Sequence, residues 1–461
     1  MFFQVACPHS STVREAEICY HSAMAFLESL DEFGISSAGF VFALSVGVFF
    51  GIALAFPWIA GPVVSWLIAL APAWLPIILA VVFWQLWIRY RRADFIANQE
   101  TMILEVKIPR DIDKSPRAME LVFAGLAVNS SEHTFINRWW EGGVRPWFSF
   151  ELMSDGGRIH FYIWTRRKLR EIVEHQIYAQ YPNVEIYEAE DYASRIRYDS
   201  DRYTAWGCDF ELTNKDVYPI KTYVDYELDK DPKEEYKIDP ISHLLEYLSS
   251  IKEGEQVWYQ IMIRTNRDMR VKKGHWFGKE NRLKGEAQDE IEEIKEKATP
   301  KRKDKEGNEV SGFMQLTPLQ TDKIKAIERT IDKQAYDTGI RGIYVAEKDT
   351  FRGVAIGGMT GVFRQFSSPQ FNGIRPARWM LKFDYPWQDF RGILKTRTLR
   401  KLFDAYRRRS WFHPPHETKH FVMTSEELAT VYHFPSRIVQ APGLDRIPAR
   451  KFEAPPNLPV A

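Results

Sequence analysis

Three histidines and an acid crowd into one short stretch of the chain: His413, His416, Glu417 and His420. Imidazoles and carboxylates are zinc ligands, and a zinc site needs three or four of them converging on one point. Pro414 and Pro415 hold the start of this stretch extended, which removes the helical spacing that would aim two histidines together. No metal site is therefore expected. The chain carries no GxxxxGK(S/T) phosphate loop, no HExxH and no GxSxG. Gly353, Gly357, Gly358 and Gly361 lack the strand-to-helix context of a dinucleotide site. Gly353, Gly357 and Gly361 recur every four residues, which suits close helix packing. Paired acids such as Glu234-Glu235 and Glu292-Glu293 lie in charged stretches and read as solvated. Cys7, Cys19 and Cys208 form no CxxC, so neither a disulfide framework nor a zinc ribbon is expected, and a reducing compartment fits. The reading is a protein without a catalytic site or cofactor of its own.

Two other groups carry binding chemistry. Lys395, Arg397, Arg400, Lys401, Arg407, Arg408 and Arg409, with Trp411 and Phe412 beside them, are a candidate surface for nucleic acid or anionic lipid. The favoured alternative is the solvated face of a helix whose apolar face is Leu394, Leu402, Phe403 and Tyr406. Arg138, Trp139, Trp140, Arg145 and Trp147 mix the residue types enriched where proteins dock. Packing within the fold would use them equally well.

The elements that must position these groups begin with a membrane segment. No charged residue occurs from Ile35 to Ile88. A membrane span takes roughly 20 apolar residues, so the stretch has room for two. Pro57, Gly61 and Pro62 divide it into helices over about Ile35 to Phe56 and Val63 to Ile88. A hairpin follows, with both ends on one side. Arg89, Arg91 and Arg92 come directly after it and place that side in the cytoplasm. Gly39, Ala43, Gly47, Gly51 and Ala55 form a stripe of small residues for close helix contact. Packing inside the hairpin is favoured over homo-oligomerisation. Pro72 and Pro76 should kink the second span. Residues 1–34 form a cytoplasmic flank with an amphipathic helix over Val13 to Leu30. The expected location is the inner, cytoplasmic membrane, multi-pass, with the soluble part in the cytoplasm.

Composition suits one short membrane region on a largely soluble body. Mean hydropathy is −0.34 over 461 residues, and the net charge of +1 points to neither a nucleic-acid binder nor an acidic tail. Beyond the membrane the apolar period changes. Thr101 to Ile108 alternates as a strand, and Ser115-Pro116 opens a helix carrying Met119, Val122, Phe123 and Leu126. Phe148 to Leu152 and Ile159 to Trp164 are strands joined at the turn Asp155-Gly156-Gly157. Leu169, Ile172, Val173 and Ile177 mark a helix, and Val184 to Tyr187 a strand. This β-α-β-β-α-β order is the plan of a ferredoxin-like sandwich. A weaker second copy has strands at Cys208 to Leu212, Ile220 to Tyr226, Val257 to Ile263 and Ile340 to Ala346. Its helices start at Asp239-Pro240 and Thr317-Pro318, with another over Thr350 to Phe366. The fold class is thus membrane-anchored α+β. The first α+β domain covers residues 98–200 and the second 201–375, with a charged insertion at 267–311 holding one solvated helix near Glu286 to Lys297. A basic, helical segment spans 376–434, and 435–461 reads as a proline-punctuated exit linker.

Several blocks resemble one bacterial membrane-protein family. They are Leu104-Glu105-Val106-Lys107-Ile108-Pro109, Lys114-Ser115-Pro116-Arg117-Ala118-Met119-Glu120, Arg145-Pro146-Trp147-Phe148-Ser149-Phe150-Glu151, Phe161-Tyr162-Ile163-Trp164-Thr165, Gln176-Ile177-Tyr178-Ala179-Gln180-Tyr181-Pro182, Ser425 to Pro435 and Pro455-Pro456-Asn457-Leu458-Pro459. The family looks like the membrane-anchored N-terminal region, a domain of unknown function, found ahead of conjugation-type (type IV secretion, HerA/FtsK-like) ATPase domains. The resemblance runs from about Ile59 to the end of the chain, which stops where the ATPase portion would begin. It implies a non-catalytic scaffold that docks a separate P-loop ATPase moving DNA or protein, with nucleic acid reached through that partner. A membrane-tethered nucleic-acid binder and an enzyme with an unrecognised site are the rival expectations.

Overall fold

Side chains on a strand point alternately to opposite faces, and here the two faces meet very different surroundings. The computed structural model describes residues 61–447, apart from 63–64, 67, 111, 113, 129–133, 229–238, 273–277, 299–300, 304–308, 312–314, 383–388, 390–391, 438 and 440. The expected first span, its small-residue stripe from Gly39 to Ala55, the amphipathic helix before it and the tail from residue 448 lie outside the described residues. The chain divides into two compact units, Met1–Trp87 with Leu381–Lys395, and Ile88–Met380 with Thr396–Ala461.

Helix α1 runs Ala71–Ala97, 27 residues with Pro76 inside it. Among the described residues it is the one helix long and apolar enough to cross a membrane, by length and composition. Ile77, Leu79, Phe83 and Leu86 stand exposed on it. It does not stop at Ile88, where the uncharged run ends, but continues through Arg89, Arg91 and Arg92.

The larger unit is built on one antiparallel sheet. Its first part is β1 (Thr101–Lys107), α2 (Pro116–Gly125), β2 (Phe148–Asp155), β3 (Arg158–Arg166), α3 (Arg170–Gln180) and β4 (Glu185–Ala189). Then come β5 (Tyr203–Leu212), α4 (Ile241–Ser249), β6 (Glu255–Thr265), the short β7 (Met269–Val271) and β8 (Lys279–Asn281), and α5 (Arg282–Ala298). Short β9 (Lys301–Lys303) and β10 (Glu309–Ser311) precede α6 (Pro318–Asp332), β11 (Ala335–Glu347), α7 (Gly353–Gly361), β12 (Ile374–Ala377), α8 (Ile393–Arg407), β13 (Phe421–Thr424) and α9 (Ser425–Val431). The strands lie in the order β12-β5-β11-β6-β2-β3-β1-β4, with β13 added beside β11. Every neighbouring pair is antiparallel. The order is a palindrome: the first part reads 2-3-1-4 outward from the middle, and β6-β11-β5-β12 repeats it on the other side. The α+β units expected at 98–200 and 201–375 therefore share one sheet, joined where β2 pairs with β6.

Local chemistry explains the boundaries. Both central residues of the β2–β3 turn have positive φ, +56° at Gly156 and +87° at Gly157, which glycine adopts without the clash a side chain brings. Helix α2 opens with Ser115 as N-cap and Pro116 at the first position. Thr317 and Gln320 close a capping box on α6.

One sheet face is apolar. Leu104, Phe150, Ile163, Phe210, Tyr259 and Ile340 point into a core closed by α2, α3, α4, α7 and α9. Each large apolar side chain so buried contributes about 1.5–3 kcal/mol. The opposite face carries Glu151, Gln260, Arg264, Asp337, Arg341 and Asp209, all buried. Three ion pairs bridge that face: Arg341–Asp209 at 2.8 Å, Arg264–Asp337 at 2.6 Å and Arg409–Glu151 at 3.0 Å.

Some expectations are corrected. Ile220 to Tyr226 is a run of turns, not a strand, because Asp225 accepts from the backbone N–H of Thr222 at 2.8 Å and ties the segment locally. The insertion's helix, α5, is not wholly solvated: Leu283, Ala287 and Ile294 pack with Ile324 and Ile327 of α6 and with Val217. The described part of the exit linker is held on the body. Gly443 accepts from Ile159 N–H at 2.8 Å, and Ile447 N–H donates to Ile108 at 3.0 Å.

Candidate functional site

The polar face gathers around Arg409. Helix α8 ends at Arg407, and Arg409 takes a left-handed turn conformation, φ +49°. That turn drives its side chain under the sheet instead of into solvent. Its guanidinium grips Glu151 with two parallel bonds of 3.0 and 3.1 Å and also binds Asp191. Glu151 further accepts from Ser149, Tyr192 and Gln260 at 2.7, 2.8 and 3.0 Å. Burial works against the charge on Arg409, but Glu151 and Asp191 outweigh it and raise its proton affinity above that of a free arginine.

Beside this network lies a cavity of about 340 Å³. Its walls are the last turn of α1 at Ala93, Ile96 and Ala97, the ends of β1 and β3 at Thr101, Trp164 and Arg166, Trp147 before β2, and the segment Arg407 to Pro415. Arg166 lies 5.1 Å from the Trp147 ring and 5.7 Å from that of Phe95, so its cation rests against two aromatic rings. Trp147 is fixed in turn, its indole N–H donating to the Arg409 carbonyl at 3.1 Å. Burial lowers the pKa of Arg166 to about 10, which leaves it charged at neutral pH. His413 packs 5.9 Å from Trp147. Burial first, then the charges of Arg264, Arg92, Arg145 and Arg166, push its pKa down to about 3, so it is neutral. The site is a cationic, aromatic-walled recess able to receive an anion.

The structure brings the two expected binding groups together here, but in altered roles. Arg145 and Trp147 are buried and do not form an open docking surface; Arg145 donates to the Thr265 carbonyl at 2.7 Å. Arg138 and Trp140 are exposed and Trp139 is half-buried, on the turn Ile136–Trp140. In the basic group, Arg409 is not a surface cation, because Glu151 and Asp191 occupy it. Arg408 and Arg407 reach Asp404 at 2.9 and 4.0 Å. Lys395, Arg397, Arg400 and Lys401 are exposed. Leu394 is exposed too, and the buried face of α8 is Leu399, Leu402, Phe403 and Tyr406.

The histidines go to separate places. His416 bonds Asp404 at 2.8 Å, while His420 lies 3.7 Å from Asp268 and 3.8 Å from Asp337. The candidate ligand atoms of Asp268, Asp337 and His420 all fall within 4.8 Å of one another, the last two elements of the trio being on or next to the polar face. Asp337 is already bound by Arg264 and by the Asn266 amide at 2.6 Å, with Arg145 at 3.7 Å, so the trio reads as an ion-pair network. A larger cleft of about 610 Å³ adjoins it, lined by acids and bases in mixture, including Glu286, Asp289, Glu290, Arg282 and Lys419.

Sequence reasoning missed Arg166, Glu151 and Asp191. A signal existed for Arg166: His160, Tyr162, Trp164 and Arg166 share one parity of β3, opposite Ile159, Phe161 and Ile163. The remote partners of Glu151 left no local trace.

Residues 92–446 match a protein family described as "Domain of unknown function (DUF8128)", and the chain belongs to that family. No curated protein and no solved structure matches it.

Proposed function

We propose that this member of the DUF8128 family is a membrane-anchored scaffold. Helix α1 crosses the bilayer as the second arm of a hairpin, the sheet-based unit stands at the cytoplasmic face, and a separate P-loop ATPase of a conjugation-like translocation system docks on it. Two exposed apolar surfaces support the anchor. One is α1 itself, of which no residue is buried and on which Ile77, Leu79, Phe83 and Leu86 stand exposed. The other is the turn bearing Phe135, Ile136 and Trp140, all more than half exposed. The Arg91 side chain donates to the Trp140 carbonyl at 2.9 Å and ties that turn to α1 just past Ile88. Aromatic rings prefer that depth at a membrane boundary, and arginines there favour the cytoplasmic side. The docked ATPase rests on the sequence blocks from Leu104 to Pro109, Arg145 to Glu151 and Ser425 to Pro435, which resemble regions placed ahead of such motors.

The test is native purification of the tagged chain in detergent, followed by mass spectrometry of what accompanies it. A P-loop ATPase recovered in fixed ratio supports the scaffold. A chain that extracts from membranes with alkaline carbonate, or that carries no ATPase, refutes the anchor or the docking role respectively.

A further inference from the structure

We infer that the recess beside Arg166 binds a phosphate-bearing anion, and that the headgroup of an acidic phospholipid supplies it. Arg145, Arg166, Arg264, Arg341 and Arg409 are the buried arginines among the described residues. Four of them face a carboxylate: Arg145 and Arg264 share Asp337, Arg341 has Asp209, and Arg409 has Glu151. Arg166 breaks the pattern. It is 5% exposed, and its Nη2 is buried with no hydrogen-bond partner among the described residues. A desolvated cation without a counter-charge is unfavourable, and an anion delivered to it restores the balance.

The surroundings are built for such a ligand. The rings of Phe95 and Trp147 hold the guanidinium, which leaves its N–H edges for a tetrahedral oxyanion. His413 lines the same cavity, and its Nε2 is also buried without a partner. The neutral imidazole supplies one N–H without a further positive charge. The carboxylate on the wall, Asp191, is engaged by Arg409. The volume of about 340 Å³ falls at the small end of ligand sites, which run about 300–1,000 Å³.

The source of the phosphate follows from α1. Ala93 lines the cavity, and at about 1.5 Å per helical residue it lies roughly 8 Å beyond Ile88. The headgroup layer extends about 5–8 Å outside the hydrocarbon on each side, so a headgroup reaches the recess from the bilayer edge. Only this step rests on the membrane reading; the anion site itself does not.

The experiment uses the full chain in dodecyl maltoside. It is titrated with dioctanoyl phosphatidylglycerol, dioctanoyl phosphatidylcholine or inorganic phosphate, and thermal unfolding and tryptophan fluorescence are followed. The expected result is a saturable response to phosphatidylglycerol, none to phosphatidylcholine, and at least tenfold weaker binding in Arg166→Gln. If inorganic phosphate gives an equal response that Arg166→Gln also weakens, the anion site stands and the lipid is overturned as its source. No saturable response to either anion, or one that Arg166→Gln leaves intact, overturns the site. Should Arg166→Gln fail to fold, Arg166→Lys decides: losing the planar fork must weaken binding at least threefold. Carbonate extraction reports on the anchor separately, so a chain released from membranes that still binds phosphate removes the lipid and keeps the site.

Discussion

Replacing His413 with glutamine should make the protein less sensitive to mild acid. His413 is buried among arginines and has a pKa near 3, against 6.5 for a free histidine. A histidine whose folded-state pKa is depressed binds its proton better in the unfolded chain, so stability falls as pH drops below 6.5. The loss grows until about pH 3, where the folded state takes the proton as well. At about 1.4 kcal/mol per pH unit, this one group removes about 2 kcal/mol between pH 7 and pH 5. Glutamine keeps a donor and an acceptor and does not titrate. The assay is urea unfolding of the full chain in detergent at both pH values, for wild type and His413→Gln. All other titrating groups are common to the two proteins, so the difference between the two pH-induced losses isolates His413. A gap near 2 kcal/mol is expected, with the wild type losing more. Equal losses, within about 0.5 kcal/mol, would mean that the imidazole is hydrated or the arginine field is screened, and the description of the recess would be wrong. A bound anion offsets that field, so saturating phosphatidylglycerol should narrow the gap.

Three further outcomes follow from the same structure. Glu151→Ala leaves the Arg409 charge buried with Asp191 alone and should cost about 3–5 kcal/mol in urea unfolding, whereas Arg408→Gln, on an exposed side chain, should change stability by less than about 0.5 kcal/mol. Glu105 is held at a pKa of about 2, first by its hydrogen bond from His160 and then by Lys107, against the opposing effect of burial. That depression stabilises the fold above pH 4.5 and is lost as pH falls towards 2, so Glu105→Gln should cost about 1–2 kcal/mol at pH 7, after allowance for partial exposure, and much less at pH 3. A methyl added at Gly339 on β11 would overlap the indole of Trp411, so Gly339→Ala should lower stability by about 1–3 kcal/mol, measured by thermal unfolding.

What could be read from the sequence was local. The alternation of Met102, Leu104 and Val106 marks β1, the glycines after Asp155 mark the turn, and Thr317-Pro318 marks the start of α6. Each of these signals is complete within a few residues. The pairing of β2 with β6 is not, since each strand presents buried residues at every position but one. Such strands lack the polar edge parity that would announce a neighbour. The ion pairs of the polar face are harder still. Glu151 and Arg409 stand 258 positions apart, and Arg409 looked like the last member of a basic surface run until its left-handed turn put it under the sheet. Ile220 to Tyr226 misled in the opposite direction: its apolar and aromatic residues have strand character, but Thr222 and Asp225 bond each other first.

The palindromic strand order also separates what belongs to the fold from what belongs to the site. In the first half the terminal pair of the β1–β3 ladder is Thr101 with Arg166. In the second half β5 and β11 hold the same places in the order, and their terminal pair is Tyr203 with Glu347. The position that carries a buried cation, unpaired among the described residues, in one half carries an exposed acid in the other. If the arginine served the sheet, the matching ladder end should need a similar group, and it does not. The difference lies in what adjoins each end. β1 follows α1 after only a few residues, so its ladder end faces the last turn of the apolar helix and the segment Arg407 to Pro415. The β5 ladder end is instead finished by solvent-exposed charges, with Arg202 3.7 Å from Glu347. A cation kept desolvated only at the end next to α1 is a property of that junction, and it ties the charge of the recess to the helix that would carry the chain into the membrane.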